Sequence, residues 1–456
     1  MVLCALLKAV NSLRRVYIIF ALAVVAMVTL CMGVSRADIT EIKKLIPGDG
    51  AYADLFGSSV SISGDYAIVG APNDDEGVIK NSGCAYIFER TKGIWSEKAK
   101  LLAPDRSGND VFGFSVSISG DYAIVGKPFD DHTGSNYGSA YIFHRTEPLP
   151  GTIIWSQVAK LVATTEGGAS DGGANDFFGT SVAINGDYAI VGAPNDDDNG
   201  SDSGTAYIYQ RLENGWGQVA KLVAPDAATG DLFGYSVAIA GDYAVVGAPR
   251  KDNDSGEDIG SMYIFKRSED TWSVWGPLIV PPIAGAAGDE FGWSVSIDGH
   301  FALAGAHLYD GGEDLANSGS ARIFEELGDT HIWFTEPHHG LKPSDAAASD
   351  EFGFAVSISD DYALIGSLKY INGTGTAYVF QKSTGNDDWH QFVKLIASDT
   401  PWGFGSAVSI SGRYAIIGAR HDRNTAGSAY LFDILSNTVP SPSGTMPSIL
   451  LLLLDN

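Results

Sequence analysis

Two short stretches carry alternate carboxylates around a glycine: Asp196-x-Asp198-x-Gly200-x-Asp202 and Asp252-x-Asp254-x-Gly256-x-Asp258. Oxygen ligands set at every second residue can wrap a hard cation, so these six aspartates are candidate ligands and Ca2+ is the candidate cofactor. Both stretches lack the third Asp before the glycine and the bidentate Glu that complete the usual calcium loop. The competing reading is that Asp, Asn, Gly and Ser form turns here, bonding to their own backbone and keeping the loops soluble. Related runs occur at Asp74-Asp75-Glu76, at Asp130-Asp131 and from Asp310 to Asp314. A second acidic set, Asp54, Asp110, Asp176, Asp231, Asp289 and Asp350, stands two residues ahead of recurring Phe-Gly pairs, where a turn-closing acceptor is expected.

Nucleophile patterns are poor. Gly-x-Ser recurs at Gly113-Phe114-Ser115, Gly234-Tyr235-Ser236 and Gly292-Trp293-Ser294, but each lies in a strand with no helix following, so no nucleophile elbow forms. The nine histidines are scattered, and His338-His339 lacks metal-ligand spacing. No acid, base and nucleophile come together in the sequence, and catalysis is not expected.

These residues sit on a repeated unit. Phe-Gly appears seven times, at Phe56-Gly57, Phe112-Gly113, Phe178-Gly179, Phe233-Gly234, Phe291-Gly292, Phe352-Gly353 and Phe404-Gly405, spaced by 52 to 66 residues. In the first copy, Ser59-Val60-Ser61-Ile62 alternates as a half-buried strand does, and Tyr66-Ala67-Ile68-Val69 is a second strand after the tight Gly64-Asp65 turn. Pro72 stops the second strand, Ala85-Tyr86-Ile87-Phe88 is a third, and Trp95 opens a fourth that ends Ala99-Lys100-Leu101-Leu102. Four antiparallel strands per copy make a propeller blade, so the fold expected is all-β, a seven-bladed β-propeller. Copy seven stops after its third strand. Ile42-Lys43-Lys44-Leu45-Ile46-Pro47 matches the fourth-strand pattern, so the N-terminal strand is expected to complete the last blade and close the ring. Cys84 fills a strand position where other copies have Ser or Thr, and reads as a packed side chain. Both acidic sets then fall on one rim, in the loops between strands two and three and between blades.

Three segments are expected. Residues 1–37 read as a signal peptide or N-terminal membrane anchor, with a basic start, an apolar run and Ser35-Arg36-Ala37 as a cleavage site. Residues 38–434 are the propeller, and 435–456 a Pro/Ser linker with a short apolar tail. The leader carries four of 29 basic residues and none of 55 acidic ones, leaving 25 against 55 beyond it, a net of −30. That charge excludes nucleic acid as a partner and favours cations, basic proteins or neutral glycans outside the membrane.

Phe-Gly followed by Gly-Ala-Pro, as at Gly70-Ala71-Pro72, Gly192-Ala193-Pro194 and Gly247-Ala248-Pro249, resembles FG-GAP repeats, the blades of the integrin α-subunit propeller, in a form similar to bacterial secreted or surface proteins. Gly126-Lys127-Pro128 and Gly305-Ala306-His307 match in part; Gly366-Ser367-Leu368 and Gly418-Ala419-Arg420 keep little beyond glycine. The resemblance implies an exported or cell-surface binding and adhesion propeller engaging protein or glycan ligands through its acidic rim, with a cation assisting. Integrin-type calcium loops lie between Phe-Gly and Gly-Ala-Pro; here that interval holds only a tight hairpin such as Ser119-Gly120-Asp121, so those sites do not carry over. The alternative is an extracellular propeller enzyme, a polysaccharide hydrolase or lyase. A deep axial pocket with two carboxylates about 5–10 Å apart favours that enzyme; a shallow acidic rim favours binding.

Overall fold

The computed structural model describes residues 39–131, 134–149, 151–165, 171–253, 256–276, 287–311, 315–326, 333–334, 340–369, 373–383 and 388–436. The expected leader and C-terminal tail, together with His338-His339 and Asp254, lie outside them.

Seven sheets follow one another along the chain. Blade one pairs Ser59–Ser63, Tyr66–Ala71, Cys84–Thr91 and Ile94–Leu101 in sequence order, all antiparallel. Blades two to four repeat this order, ending in Thr152–Leu161, Gly215–Leu222 and Thr271–Val274. In blade five the fourth position is taken by two short pieces, Trp333–Phe334 and Gly340–Leu341, both pairing with Ser320–Glu326. Apart from one helical turn at Asp422–Thr425, the described elements are strands.

The last blade closes as the sequence predicts. Lys43–Leu45 pairs antiparallel with Ser428–Asp433, placing Lys43 opposite Leu431 and Leu45 opposite Ala429. Just before it, Ile39–Thr40 runs parallel to the outer strand of blade six, opposite Leu395 and Ile396. The leading segment therefore binds two blades, which the fourth-strand pattern alone does not reveal.

Each Phe-Gly works between blades. The Phe packs into its own blade (Phe112 lies 5.5 Å from the Tyr141 ring) and sits in one apolar cluster with Ile68, Ala85 and Ile87 of the preceding blade. Its glycine has φ of +92° at Gly113, and a Cβ there would meet the Cys84 carbonyl oxygen at 2.1 Å. Both conditions demand glycine.

The inner strands solve an edge problem. A sheet's first strand leaves backbone groups unpaired. Here the serines opposite the Val and Ile positions satisfy them: Ser61 Oγ accepts from the Ile118 N–H at 3.1 Å, and Ser117 does the same for Ile184 at 3.2 Å. Ser59 donates to the Gly113 carbonyl at 2.9 Å. The serine of each Gly-x-Ser motif is used in the same way: Ser115, Ser236 and Ser294 donate to the Phe-Gly glycine carbonyls of the next blade. Cys84 is buried at the start of its strand, and burial pushes its thiol pKa well up.

Candidate functional site

The loop between strands two and three touches the loop that precedes Phe-Gly, since the Asn73 N–H donates to the Asp54 carbonyl at 3.2 Å and Lys369 N–H to that of Asp350 at 3.2 Å. Both acidic sets therefore share one rim. The aspartates ahead of Phe-Gly are buried and close their turns: Ser107 N–H donates to Asp110 at 2.6 Å, Ala228 N–H to Asp231 and Ala347 N–H to Asp350, each at 2.8 Å.

The other set has two jobs. The first carboxylate of the loop, itself buried in blades one to three, joins a partly exposed Lys–Tyr–Asp group. In blade two, Lys160 from Ala-Lys-Leu reaches Asp105 at 2.6 Å and Asp130 at 2.8 Å, and the Tyr141 hydroxyl donates to Asp105 at 2.6 Å. Blade one uses Lys100, Asp49, Asp74 and Tyr86; the closing strand brings Lys44 to Asp399, Asp422 and Tyr430. Blade four has no Ala-Lys-Leu lysine, and there Lys251 occupies the loop position that is Asp in blades one to three. It meets Asp231 at 3.0 Å and Asp226 at 3.6 Å, so the charge has moved from one strand to the neighbouring loop.

The next carboxylate accepts a backbone N–H five to seven residues on. Asp75 accepts from Asn81, Asp131 from Asn136, Asp252 from Asp258 and Asp310 from Asn317 at 2.8 Å, and Asp197 accepts from Asp202 at 2.7 Å. All five donors have φ between +50° and +53°. Asn and Asp tolerate that left-handed backbone best among residues with a side chain. Asp202 and Asp258 are thus placed for their backbone.

The candidate calcium ligands of blade three can now be placed. Asp196 is buried; it accepts from the Tyr207 hydroxyl and the Asp198 N–H at 3.0 Å each. Lys221 lies 2.8 Å from Asp171 and 3.9 Å from Asp196, and bonds Asp198. Burial works against the Lys221 charge, but Asp171 and Asp198 offset it and raise its pKa. Burial also raises the Asp196 carboxyl. Asp202 accepts from the Asn195 amide at 2.7 Å instead of facing the other two. The ammonium already occupies the place a cation would take, so this donor set does not fit calcium. Among the described residues no group of three or more His, Cys, Asp or Glu side chains converges to hold a metal.

The departures from the repeat gather elsewhere. On the same rim a cavity of about 710 Å³ is lined from six of the seven blades, which places it across the axis. The residue after Phe-Gly faces it: Ser58 and Ser406 on one side, and the aromatic Phe114, Tyr235, Trp293 and Phe354. So do residues standing where other blades have the proline of Gly-Ala-Pro, namely His307, Leu368 and Arg420. Trp293 lies 4.6 Å from Tyr235, 5.8 Å from Phe354 and 4.3 Å from His307, forming an aromatic wall over blades four to six. Burial pushes His307 down to about 4, so its ring is neutral at physiological pH, and burial raises Glu290 and Glu351. Glu351 lines the cavity and Glu290 lies 3.8 Å from His307. The acidic loops hid this site; its signals in the sequence were the aromatic residues after Phe-Gly and the failed Gly-Ala-Pro copies.

Comparison with known proteins agrees with this geometry. Residues 39–88, 95–143, 155–209, 216–265, 282–324, 339–380 and 389–432 match the FG-GAP repeat family. The matches starting at 95, 155, 216 and 389 begin on an outer strand and end on a third strand, one strand out of phase with the blade. The chain is also similar to integrin alpha-2 of Mus musculus, 30% identical over 107 residues, covering 22% of this chain and only 9% of the mouse protein. The chain belongs to the FG-GAP repeat proteins, as an integrin α-like seven-bladed propeller.

Proposed function

We propose that this protein is a secreted or cell-surface binding propeller that engages an extracellular protein or glycan with the rim carrying the axial cavity. The observation that supports this reading is a division of labour. The repeated serines and lysines are consumed in holding the blades together, while the aromatic residues after Phe-Gly and the altered Gly-Ala-Pro positions His307, Leu368 and Arg420 line one cavity. Blade three's loop favours neutralisation by Lys221, so the binding proposed needs no cation there. To test it, the full chain is expressed in an exporting host and the exported protein is probed against immobilised matrix proteins and glycans. Binding that is lost in Trp293→Ser with His307→Pro, and kept in Asp197→Ala, supports the reading. Absence of the protein from the medium and cell surface, or binding indifferent to the paired substitution, overturns it.

One observation favours a second reading, a glycan-cleaving enzyme. Glu290 and Glu351 hold equivalent positions before Phe-Gly of blades five and six, and burial raises both carboxyls as general-acid chemistry requires. Release of reducing ends from polysaccharide by the native protein, abolished in Glu351→Gln, would establish it.

A further inference from the structure

Two residues that line the axial cavity each carry a buried polar atom that the fold leaves unanswered. His307 is 6% exposed, and its Nδ1 has no hydrogen-bond partner; Ser406 is 7% exposed, and its Oγ has none. Leaving a buried polar atom unpaired costs about 1–3 kcal/mol, and such atoms in a native fold usually have a ligand or catalytic role or an ordered water. Neither residue is required by the blade. Blades one to four have proline where His307 stands, and Ser58, the counterpart of Ser406, is not so placed.

The wall beside them is apolar and flat. Trp293 and Phe354 are half-buried, and His307 lies between 4.3 and 5.5 Å of their rings. Next to Phe354 round the ring the equivalent positions are Ser406 and Ser58, with Phe114 of blade two on the far side, so a small polar sector adjoins the aromatic face. A ligand that fits has one apolar face to lie on the rings and hydroxyls at its edge to reach an imidazole nitrogen and a serine. Charge narrows the class further. Glu351 and Arg420 both line the cavity, and the Arg420 charge opposes the burial effect on the Glu351 carboxyl, as Arg250 does for Glu290. The cavity thus balances its own charges within a protein of strongly negative net charge, which disfavours an anion. A peptide strand finds no open inner edge to pair with where serines such as Ser61 already cap it.

We infer that the axial cavity is a binding site for a neutral sugar unit, its C–H face on Trp293 and Phe354 and its hydroxyls on His307 Nδ1 and Ser406 Oγ. This rests on the rim being the binding face, and it names the ligand class.

The test uses the exported product of the full chain with methyl glycosides of neutral hexoses and N-acetylhexosamines and their short oligomers. Saturation-transfer NMR and tryptophan fluorescence are the readouts. At least one neutral glycoside is expected to bind saturably, with transfer concentrated on the C–H protons of one ring face. Two variants restore residues that other blades carry and so keep the fold: Trp293→Ser, as in blades one and seven, and His307→Pro, as in blades one to four. Each is expected to weaken binding about tenfold or more, equivalent to about 1.4 kcal/mol. Should one variant misfold by circular dichroism, the other decides. Binding only of uronic or sialic acids overturns the neutral class, and binding indifferent to both variants overturns the site. If no glycoside binds while cavity-dependent adhesion to a protein persists, the sugar inference falls and the binding reading stands.

Discussion

Gly418, on the second strand of blade seven, meets the carbonyl of Gly57 in blade one so closely that a Cβ on Gly418 would lie 2.0 Å from that oxygen. The same contact joins Gly70 to Gly113, Gly126 to Gly179, Gly192 to Gly234 and Gly305 to Gly353 at 2.0, 2.1, 1.9 and 2.0 Å. The glycine of Gly-Ala-Pro and the glycine of Phe-Gly are therefore two halves of one inter-blade contact, which is why the two motifs travel together. Gly113→Ala places a methyl against the Cys84 carbonyl in a left-handed backbone. It is expected to destabilise the ring by about 3 kcal/mol or more. Gly64→Ala, at a hairpin with φ of +57° and open space around it, is expected to lose only about 1 kcal/mol. Denaturant unfolding of both variants checks this; equal losses would mean that the close approach carries no weight.

Blade four supplies a sharper test, because restoring the repeat should do harm. Lys251→Asp gives the loop the residue that blades one to three carry, yet it removes the cation held between Asp226 and Asp231. With no Ala-Lys-Leu lysine beside it, buried Asp231 is left uncompensated, and a loss of about 3–5 kcal/mol is expected. Thermal unfolding of this variant against Lys251→Met, which removes the charge without reversing it, should order them with Lys251→Asp the weaker.

The fold was legible because its constraints are local and repeated. Alternation, turn glycines and Phe-Gly are written within each copy, and the strand missing from copy seven matched Ile42–Pro47 by pattern. The parallel pairing of Ile39 with Leu395 was not legible, since two residues carry no period. The sites needed distance information that a sequence lacks. Asp196 and Asp198 read as ligands because Lys221, 23 residues away from Asp198, is not visibly their neighbour. Blade five hides a similar exchange, with Tyr309 at the loop Asp position and Arg322 at the strand Tyr position. The axial cavity is assembled from six blades, so no single copy carries its signature.

The closing strand should govern stability out of proportion to its length. Leu45 is 2% exposed and packs with Phe56, Tyr86 and Leu431, so it ties blade seven to blade one. Leu45→Ala is expected to destabilise by about 2–4 kcal/mol. Amide exchange at Leu431, which pairs across the seam, should accelerate well beyond that at Ile190 in blade three. Uniform acceleration would show that the ring opens as one unit, not at its seam.

Calcium can be tested where Lys221 stands. Because the ammonium already balances Asp171 and Asp198, calorimetric titration of calcium into the native protein and into Asp198→Ala should give the same heats. A saturable heat lost in Asp198→Ala would show that calcium displaces the lysine. Lys221→Met, which empties the position, is expected to gain calcium affinity while losing stability in its absence.

Asp176 should make the ring less stable at neutral pH than below pH 4. Burial, with repulsion from Asp196, Asp197 and Asp198, raises its carboxyl to about 6. Its counterparts Asp110, Asp231 and Asp350 instead have Lys127, Lys251 and Lys369 within 2.7, 3.0 and 3.3 Å. An unfolded aspartate titrates near about 3.9, so the folded chain holds this proton more tightly than the unfolded one. Stability from this group is therefore present below about pH 4 and lost as pH rises through about 6. Asp176→Asn keeps an acceptor for the Gly173 N–H but removes the charge. The variant should match the native protein near pH 4 and exceed it by about 1–3 kcal/mol above pH 7, the gap opening between those values. Melting temperatures taken across that range decide it, and a gap that stays constant with pH would show that Asp176 is ionised throughout.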